Sequence, residues 1–133
     1  MILTDSEREY LSTQRLGRLA TVGPKGEPQN NPVGFTYNSE TGTIDIRGRN
    51  LAASRKYRNL SGNDRVAFVV DDLATVKPWH VRGIEVRGRA ETVVERDPRN
   101  SATGTDVIRI HPHQIFTWGL EPGTKGMSKR VVP

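Results

Sequence analysis

Ile84-Glu85-Val86-Arg87-Gly88-Arg89-Ala90-Glu91-Thr92-Val93-Val94-Glu95 alternates small or apolar residues with charged ones over almost its whole length. Successive side chains of a strand point to opposite faces. Ile84, Val86, Gly88, Ala90, Thr92 and Val94 are therefore expected on one face, and Glu85, Arg87, Arg89, Glu91 and Glu95 on the other. The stretch reads as a long strand with a dry side and a wet side. Upstream, Arg65 to Asp71 contains the uninterrupted apolar run Val66-Ala67-Phe68-Val69-Val70, which predicts a strand covered on both faces at the centre of the core. Pro78 and Gly83 bracket the connection between the two, which carries Trp79, His80 and Arg82.

Working outward, Thr4 and Glu7 have capping-box spacing, with Leu3, Tyr10 and Leu11 able to share a helix face. Leu16 to Val22 reads as the first strand, Gly23 to Gly26 as a turn and Pro28 to Tyr37 as a second strand that completes a hairpin. Asn38 to Gly42 turns the chain into a third strand, Thr43 to Gly48. A helix ending near Leu60 follows. Beyond Glu95, Asp97 to Thr105 is polar and turn-rich, Val107 to Ile110 and Gln114 to Trp118 close the sheet, and Gly119 to Pro133 is a basic, glycine-containing tail. Six or seven short strands with two or three short helices predict a mainly β fold, an antiparallel barrel in a single domain spanning residues 1–133.

Apolar residues make up 34% of the chain, a modest core that leaves burial for a subunit interface to supply. Twenty Lys and Arg against fifteen Asp and Glu give a net charge of +5, which favours anionic partners. Without cysteine, the chain can form no disulfide, thiolate metal site or catalytic thiol. The first ten residues lack the basic and apolar regions of a signal peptide, and no apolar run approaches membrane-spanning length. The expectation is a cytoplasmic protein without a membrane partner.

The positive surplus is concentrated. Arg47-Gly48-Arg49-Asn50-Leu51-Ala52-Ala53-Ser54-Arg55-Lys56-Tyr57-Arg58 holds five cations in twelve residues and no acid, a site suited to an anion such as phosphate. If Ser54 caps the following helix, Arg55 and Lys56 fall in its first turn, where the dipole disfavours cations and a bound phosphate would relieve the conflict. Asn50 is an equally legal cap, and would leave both as ordinary solvated residues of a helix middle.

Taken in order, Leu16-Gly17-Arg18-Leu19-Ala20-Thr21-Val22-Gly23-Pro24-Lys25-Gly26-Glu27-Pro28-Gln29, Ile44-Asp45-Ile46-Arg47-Gly48, Ser54-Arg55-Lys56-Tyr57-Arg58-Asn59-Leu60, Arg65 to Asp72 and Gly83 to Glu91 resemble the pyridoxamine 5'-phosphate oxidase-like superfamily of flavin-binding proteins. His111-Pro112-His113-Gln114-Ile115-Phe116-Thr117-Trp118-Gly119-Leu120 is similar to the short members that use the deazaflavin coenzyme F-420. The resemblance implies a Greek-key split β-barrel acting as a homodimer, with F-420, or alternatively FMN, at the subunit interface. It implies that Ser54, Arg55, Lys56 and Arg58 hold the cofactor phosphate. Arg47 and Gly48 would border the ring and ribityl chain, and Gln29, Asn31, Pro32 and Val33 would face the pyrimidine edge. Trp79, Trp118 and Gly119 would reach in from the partner subunit. The tail lacks the Arg-x-His element of the full-length oxidases, which argues against pyridoxamine phosphate as substrate.

No Ser-His-Asp, paired-carboxylate or lysine-nucleophile arrangement is evident, as expected where the cofactor carries the hydride chemistry; no residue is assigned a catalytic role. The implied activity is hydride transfer to or from a small redox substrate. The same fold without turnover would make a carrier or sequestering protein. Lys25, Arg49, Lys125 and Lys129 are candidates to meet a deazaflavin's long anionic tail. His111 and His113 would share a strand face, but with His80 they make no complete metal site, since a fourth ligand is lacking and Pro112 intervenes; they are read as structural or rim residues. Trp79 and Trp118 could equally be core or interface aromatics. Arg87-Gly88-Arg89 echoes Arg47-Gly48-Arg49, but the low aromatic content argues against a base-stacking nucleic-acid module.

Overall fold

The computed structural model describes residues 2–97, 104–123 and 126–133. Residues 98–103 of the polar connection, and Lys125, lie outside them. A helix α1 (Asp5–Ser12) opens the chain, with the Thr4–Glu7 capping box formed. Strands β1 (Leu16–Val22), β2 (Pro28–Gly34), β3 (Thr36–Asn38) and β4 (Thr43–Ile46) follow. Next come a 3-10 turn (Leu51–Ala53), helix α2 (Arg55–Asn59), and strands β5 (Arg65–Thr75), β6 (His80–Val94), β7 (Asp106–Trp118) and β8 (Met127–Val131).

Every strand pair is antiparallel, in the order β2-β1-β5-β6-β7-β4-β3, with β8 paired to the far half of β7. The sequence β5-β6-β7 with β4 laid beside β7 is a Greek key. The two ends of the path, β2 and β3, are separated in the chain by Phe35 alone. The sheet must therefore curl until its ends meet, which makes it a barrel. The single strand expected from Pro28 to Tyr37 is thus two: its first part pairs with β1 and its last with β4, and the chain turns the barrel corner between them.

Four further expectations are corrected. Val107 to Ile110 and Gln114 to Trp118 belong to one strand, because Pro112 is accommodated at a bulge: Arg87 pairs with Gln114 and Gly88 with Pro112, leaving His113 as the extra residue. Gly88 is required there, since a Cβ would lie 2.0 Å from the His111 carbonyl oxygen. The tail contains β8, whose register with β7 runs from Gln114 opposite Val131 to Trp118 opposite Met127. The strand expected to reach Gly48 stops at Ile46. On β6 the dry face holds through Ile84, Val86 and Ala90, but Thr92 and Val94 are exposed near the strand's end.

Val66, Phe68 and Val70 enter the core, while Ala67 and Val69 on the other face are half-buried. Leu19, Ile44, Ile46, Ile84, Val86, Ile108, Ile110 and Ile115 fill the barrel around them. Phe68 packs edge-on against Phe35 at 5.2 Å between ring centroids. Helix α1 docks through Tyr10, whose hydroxyl donates to Asp72 at 3.0 Å under the Arg82 guanidinium. No helix among the described residues is long and apolar enough to cross a membrane.

Candidate functional site

The choice between Asn50 and Ser54 as cap resolves into two stacked turns. Asn50 takes a left-handed conformation (φ 52°) and starts the 3-10 turn without a side-chain cap bond. Ser54 is extended and caps α2: its Oγ accepts from the Tyr57 N–H at 3.4 Å and donates to the Leu51 carbonyl at 2.6 Å. Arg55 and Lys56 therefore occupy the first turn of α2. With only five residues, α2 has a small macrodipole, so attraction for an anion comes chiefly from the side-chain charges.

Those charges are unbalanced. Arg18, Arg82, Arg87, Arg89, Arg109 and Arg130 each form an ion pair with a carboxylate. Arg49, Arg55, Lys56 and Arg58 have none among the described residues, and Arg49, Arg55 and Arg58 are exposed. Arg47 departs from its neighbours. Its Nη1 donates to the Glu95 backbone carbonyl at 2.6 Å, and its Nη2 lies 3.9 Å from the Glu95 carboxylate. Glu95 also accepts from Arg109 at 2.6 Å, and Arg109 makes a bidentate pair with buried Asp45, both contacts at 3.0 Å. Burial alone would raise the Asp45 carboxyl, but bonds from Arg109, Asn38 and Thr43 outweigh it and hold it below the usual carboxylate range. The cationic run is thus balanced at its start by an acid from a distant part of the chain. Its free charge lies in Arg49 and on α2.

Helix α2 borders a groove of about 630 Å³, lined on the other side by Val22 at the end of β1 and by Gly23, Pro24 and Gly26 of the turn that follows, and on the helix side by Arg55, Arg58, Asn59 and Ser61 to Asn63. Gln29, Asn31 and Val33 share the inward face of β2, while Pro32 is exposed on the other. Asn59 ties the helix to that strand. Its Nδ2 donates to Thr21 Oγ1 at 3.0 Å and to Gln29 Oε1 at 3.3 Å, and Gln29 Nε2 donates in turn to Asn31 Oδ1 at 2.7 Å. Sequence reasoning missed Asn59 and Thr21. Their sole signal is that polar residues occupy positions buried to 6% and 1% exposure.

The remaining candidates stand elsewhere. Trp79 lies in the β5–β6 connection, 69% exposed, with Leu73, Val76 and Val81 also exposed nearby. Trp118 ends β7 opposite Gly83, and Gly119 follows with its carbonyl 3.1 Å from His80 Nε2. Helix α2 precedes the first residue of β5, whereas Trp79 follows its last. The strand's eleven residues span about 33 Å at roughly 3.3 Å per residue. One copy of the chain therefore keeps α2 and Trp79 at opposite ends of a long strand, with Trp118 two strands away and level with Asp71. His111 is engaged by Glu91 at 3.0 Å, and no cluster of three His, Asp or Glu able to hold a metal occurs among the described residues.

An antiparallel barrel with an acid-free cationic helix tied to an amide-bearing strand is the architecture of a split-barrel protein. Residues 3–119 match the family described as pyridoxamine 5'-phosphate oxidase, and the chain belongs to that family. It is 48% identical over 125 residues to a 5a,11a-dehydrotetracycline/5a,11a-dehydrooxytetracycline reductase of Streptomyces rimosus, covering 91% of this chain and 86% of that one. Among solved structures it resembles an F-420 reductase (27% identity, TM-score 0.57, 76% of this chain and 88% of that one). It also resembles an FAD-binding protein of Mycobacterium smegmatis (26% identity, TM-score 0.62, 88% and 94%). The chain is an oxidoreductase of this family.

Proposed function

We propose that the chain binds coenzyme F-420 in preference to FMN, at the interface of a homodimer, and transfers hydride between it and a small organic substrate. The observation that carries the proposal is the acid-free cluster on α2, in a chain whose other arginines are largely paired. Ser54, Arg55, Lys56 and Arg58 are assigned to the cofactor phosphate, with charge-assisted bonds as the main contribution. Gln29, Asn31, Pro32 and Val33 are assigned to the ring's pyrimidine edge. Gly48 and the backbone at Arg47 are assigned to the ribityl side, because the Arg47 guanidinium is engaged by Glu95.

The groove beside Arg55 and Arg58 favours the longer cofactor: FMN ends at its phosphate, whereas a deazaflavin has further anionic groups for free cations to meet. The separation of α2 from Trp79, Trp118 and Gly119 favours a dimer in which a second copy supplies the tryptophan side. When bound, the cofactor supplies the hydride chemistry; the protein's part is to hold the phosphate, orient the ring and screen one face from water. By likeness to the Streptomyces rimosus reductase, the proposed substrate is a polycyclic enone lying against the exposed ring face. That relative's activity also favours turnover over a carrier role.

Side-by-side equilibrium titrations with F-420 and FMN test the proposal, combined with sedimentation to establish the oligomer. Tighter binding of F-420 is expected, with the advantage erased by Arg55→Ser with Arg58→Ser. No binding of either cofactor at micromolar protein would refute it.

A further inference from the structure

The geometry points to Asn59 as a positioning residue that orients the amide of Asn31, through Gln29, so that Asn31 offers an N–H donor to a carbonyl of the cofactor ring. The inference rests on the cofactor reading above. Three side-chain amides in series share one polarity: Asn59 Nδ2 to Gln29 Oε1, then Gln29 Nε2 to Asn31 Oδ1. The series is anchored where Asn59 also donates to Thr21, whose side chain is enclosed in the barrel wall. An amide has one accepting oxygen and one donating nitrogen, so committing the oxygen of Asn31 to Gln29 leaves its Nδ2 free. No buried side-chain polar atom among the described residues lacks a partner, so this unpartnered Nδ2 is one that solvent or a ligand can reach.

The chemistry of the ring fits such a donor. A flavin or deazaflavin presents two carbonyl oxygens on its pyrimidine edge, and electron density moves onto that edge when the ring accepts hydride. A fixed N–H there stabilises the reduced ring more than the oxidised one, a preference that needs the donor held in advance. Freed from Gln29, the Asn31 amide could rotate and present oxygen instead. Asn59 lies on α2, so the element assigned to the phosphate also sets hydrogen-bond polarity at the ring.

The test uses the full chain, with FMN and two FMN analogues in which one or the other pyrimidine carbonyl oxygen is replaced by sulfur, a poorer acceptor. Wild-type protein is expected to bind one analogue roughly five- to tenfold more weakly than FMN, the scale of one hydrogen bond. In Asn59→Ala that ratio should fall to within about twofold, since the amide is no longer held. Asn59→Asp keeps the side-chain shape but only accepts. Gln29 must then turn its nitrogen inward, Asn31 must follow, and the preference for oxygen should vanish.

The analogues carry the same charge as FMN, so the ratio is insensitive to the charge that aspartate adds. A structural role alone would lower the melting midpoint and overall affinity while leaving the ratio untouched, and that result would overturn the inference. Should the alanine variant fail to fold, the ratio in the aspartate variant decides. Equal wild-type affinity for FMN and both analogues would also overturn it. Wild-type binding of neither FMN nor F-420 would instead bring down the cofactor reading on which it rests.

Discussion

Replacing Gly83 by alanine should displace Trp118. The two face each other across the β6–β7 ladder, and a Cβ at Gly83 would lie 2.4 Å from Cζ2, 2.6 Å from Cε2 and 2.9 Å from Nε1 of the indole. Carbon atoms in contact keep about 3.5–4.0 Å, so the ring has to move by about 1 Å or more. The backbone beyond it cannot retreat: Gly119 has φ +69°, and its own Cβ position falls 2.2 Å from the Val81 carbonyl oxygen. The adjustment therefore falls on the Trp118 side chain. Overpacking of this kind costs about 1–3 kcal/mol, and a half-buried ring that can swing outward places the expectation at the lower end, about 1–2 kcal/mol. The chain has two tryptophans, so a Trp79→Phe background isolates the Trp118 emission. The Gly83→Ala variant should show a red-shifted emission maximum, a lower melting midpoint and, if Trp118 completes the partner's site, weaker cofactor binding. Unchanged emission and melting would refute the steric reasoning.

Lys56→Ala should weaken F-420 binding by about 1.5–3 kcal/mol, with the loss shrinking at high salt; an equilibrium titration at two ionic strengths checks it. Asp45→Ala leaves Arg109 buried with Glu95 alone and should cost about 3–5 kcal/mol of folding stability, read by urea denaturation. Asp72 is held below the usual carboxylate range first by its bonds from Arg82, and Asp45 is depressed as well. Their stabilisation is present above about pH 4 and lost as pH falls through the lower folded values, so Asp72→Asn should flatten the acid limb of a stability profile. Burial and then the bond to Asp72 push the Tyr10 phenol up. Its contribution is complete below about pH 10 and lost as pH rises through the higher folded value, so Tyr10→Phe should reduce alkaline destabilisation in the same assay.

Much of the barrel was legible because its strands obey local rules. The capping box at Thr4, the limits of β1 and the dry face of β6 follow from spacing alone. Where the reading failed, a long-range contact outweighed the local pattern. Nothing between Pro28 and Tyr37 marks Phe35 as a corner, since the corner exists only because β1 and β4 lie on different sides of the barrel. Pro112 looked like a strand breaker, yet Gly88, distant in sequence, makes room for the bulge that tolerates it. At the candidate site the cationic run was evident, but the neutralisation of Arg47 depends on Glu95, which arrives from the end of β6. The Asn59 network was invisible for the same reason: three ordinary amides acquire a direction only when β1, β2 and α2 meet.

The corner at Phe35 also governs how the native state loosens. An open sheet frays from its outermost strands, which have neighbours on one side only. Here those strands are joined through one residue, so although each is paired along one side only, neither can peel away without moving the other. Amide exchange should accordingly be slowest along β5, β6 and β7 and proceed through concerted opening of the barrel. Faster exchange is expected along the unpaired edges of β2, β3 and β8 and in the short 3-10 turn. The segment with unpaired cations is pinned to the barrel through Leu51, Asn59 and Leu60, so its exposed cationic side chains, rather than its backbone, are what can adjust to a bound anion.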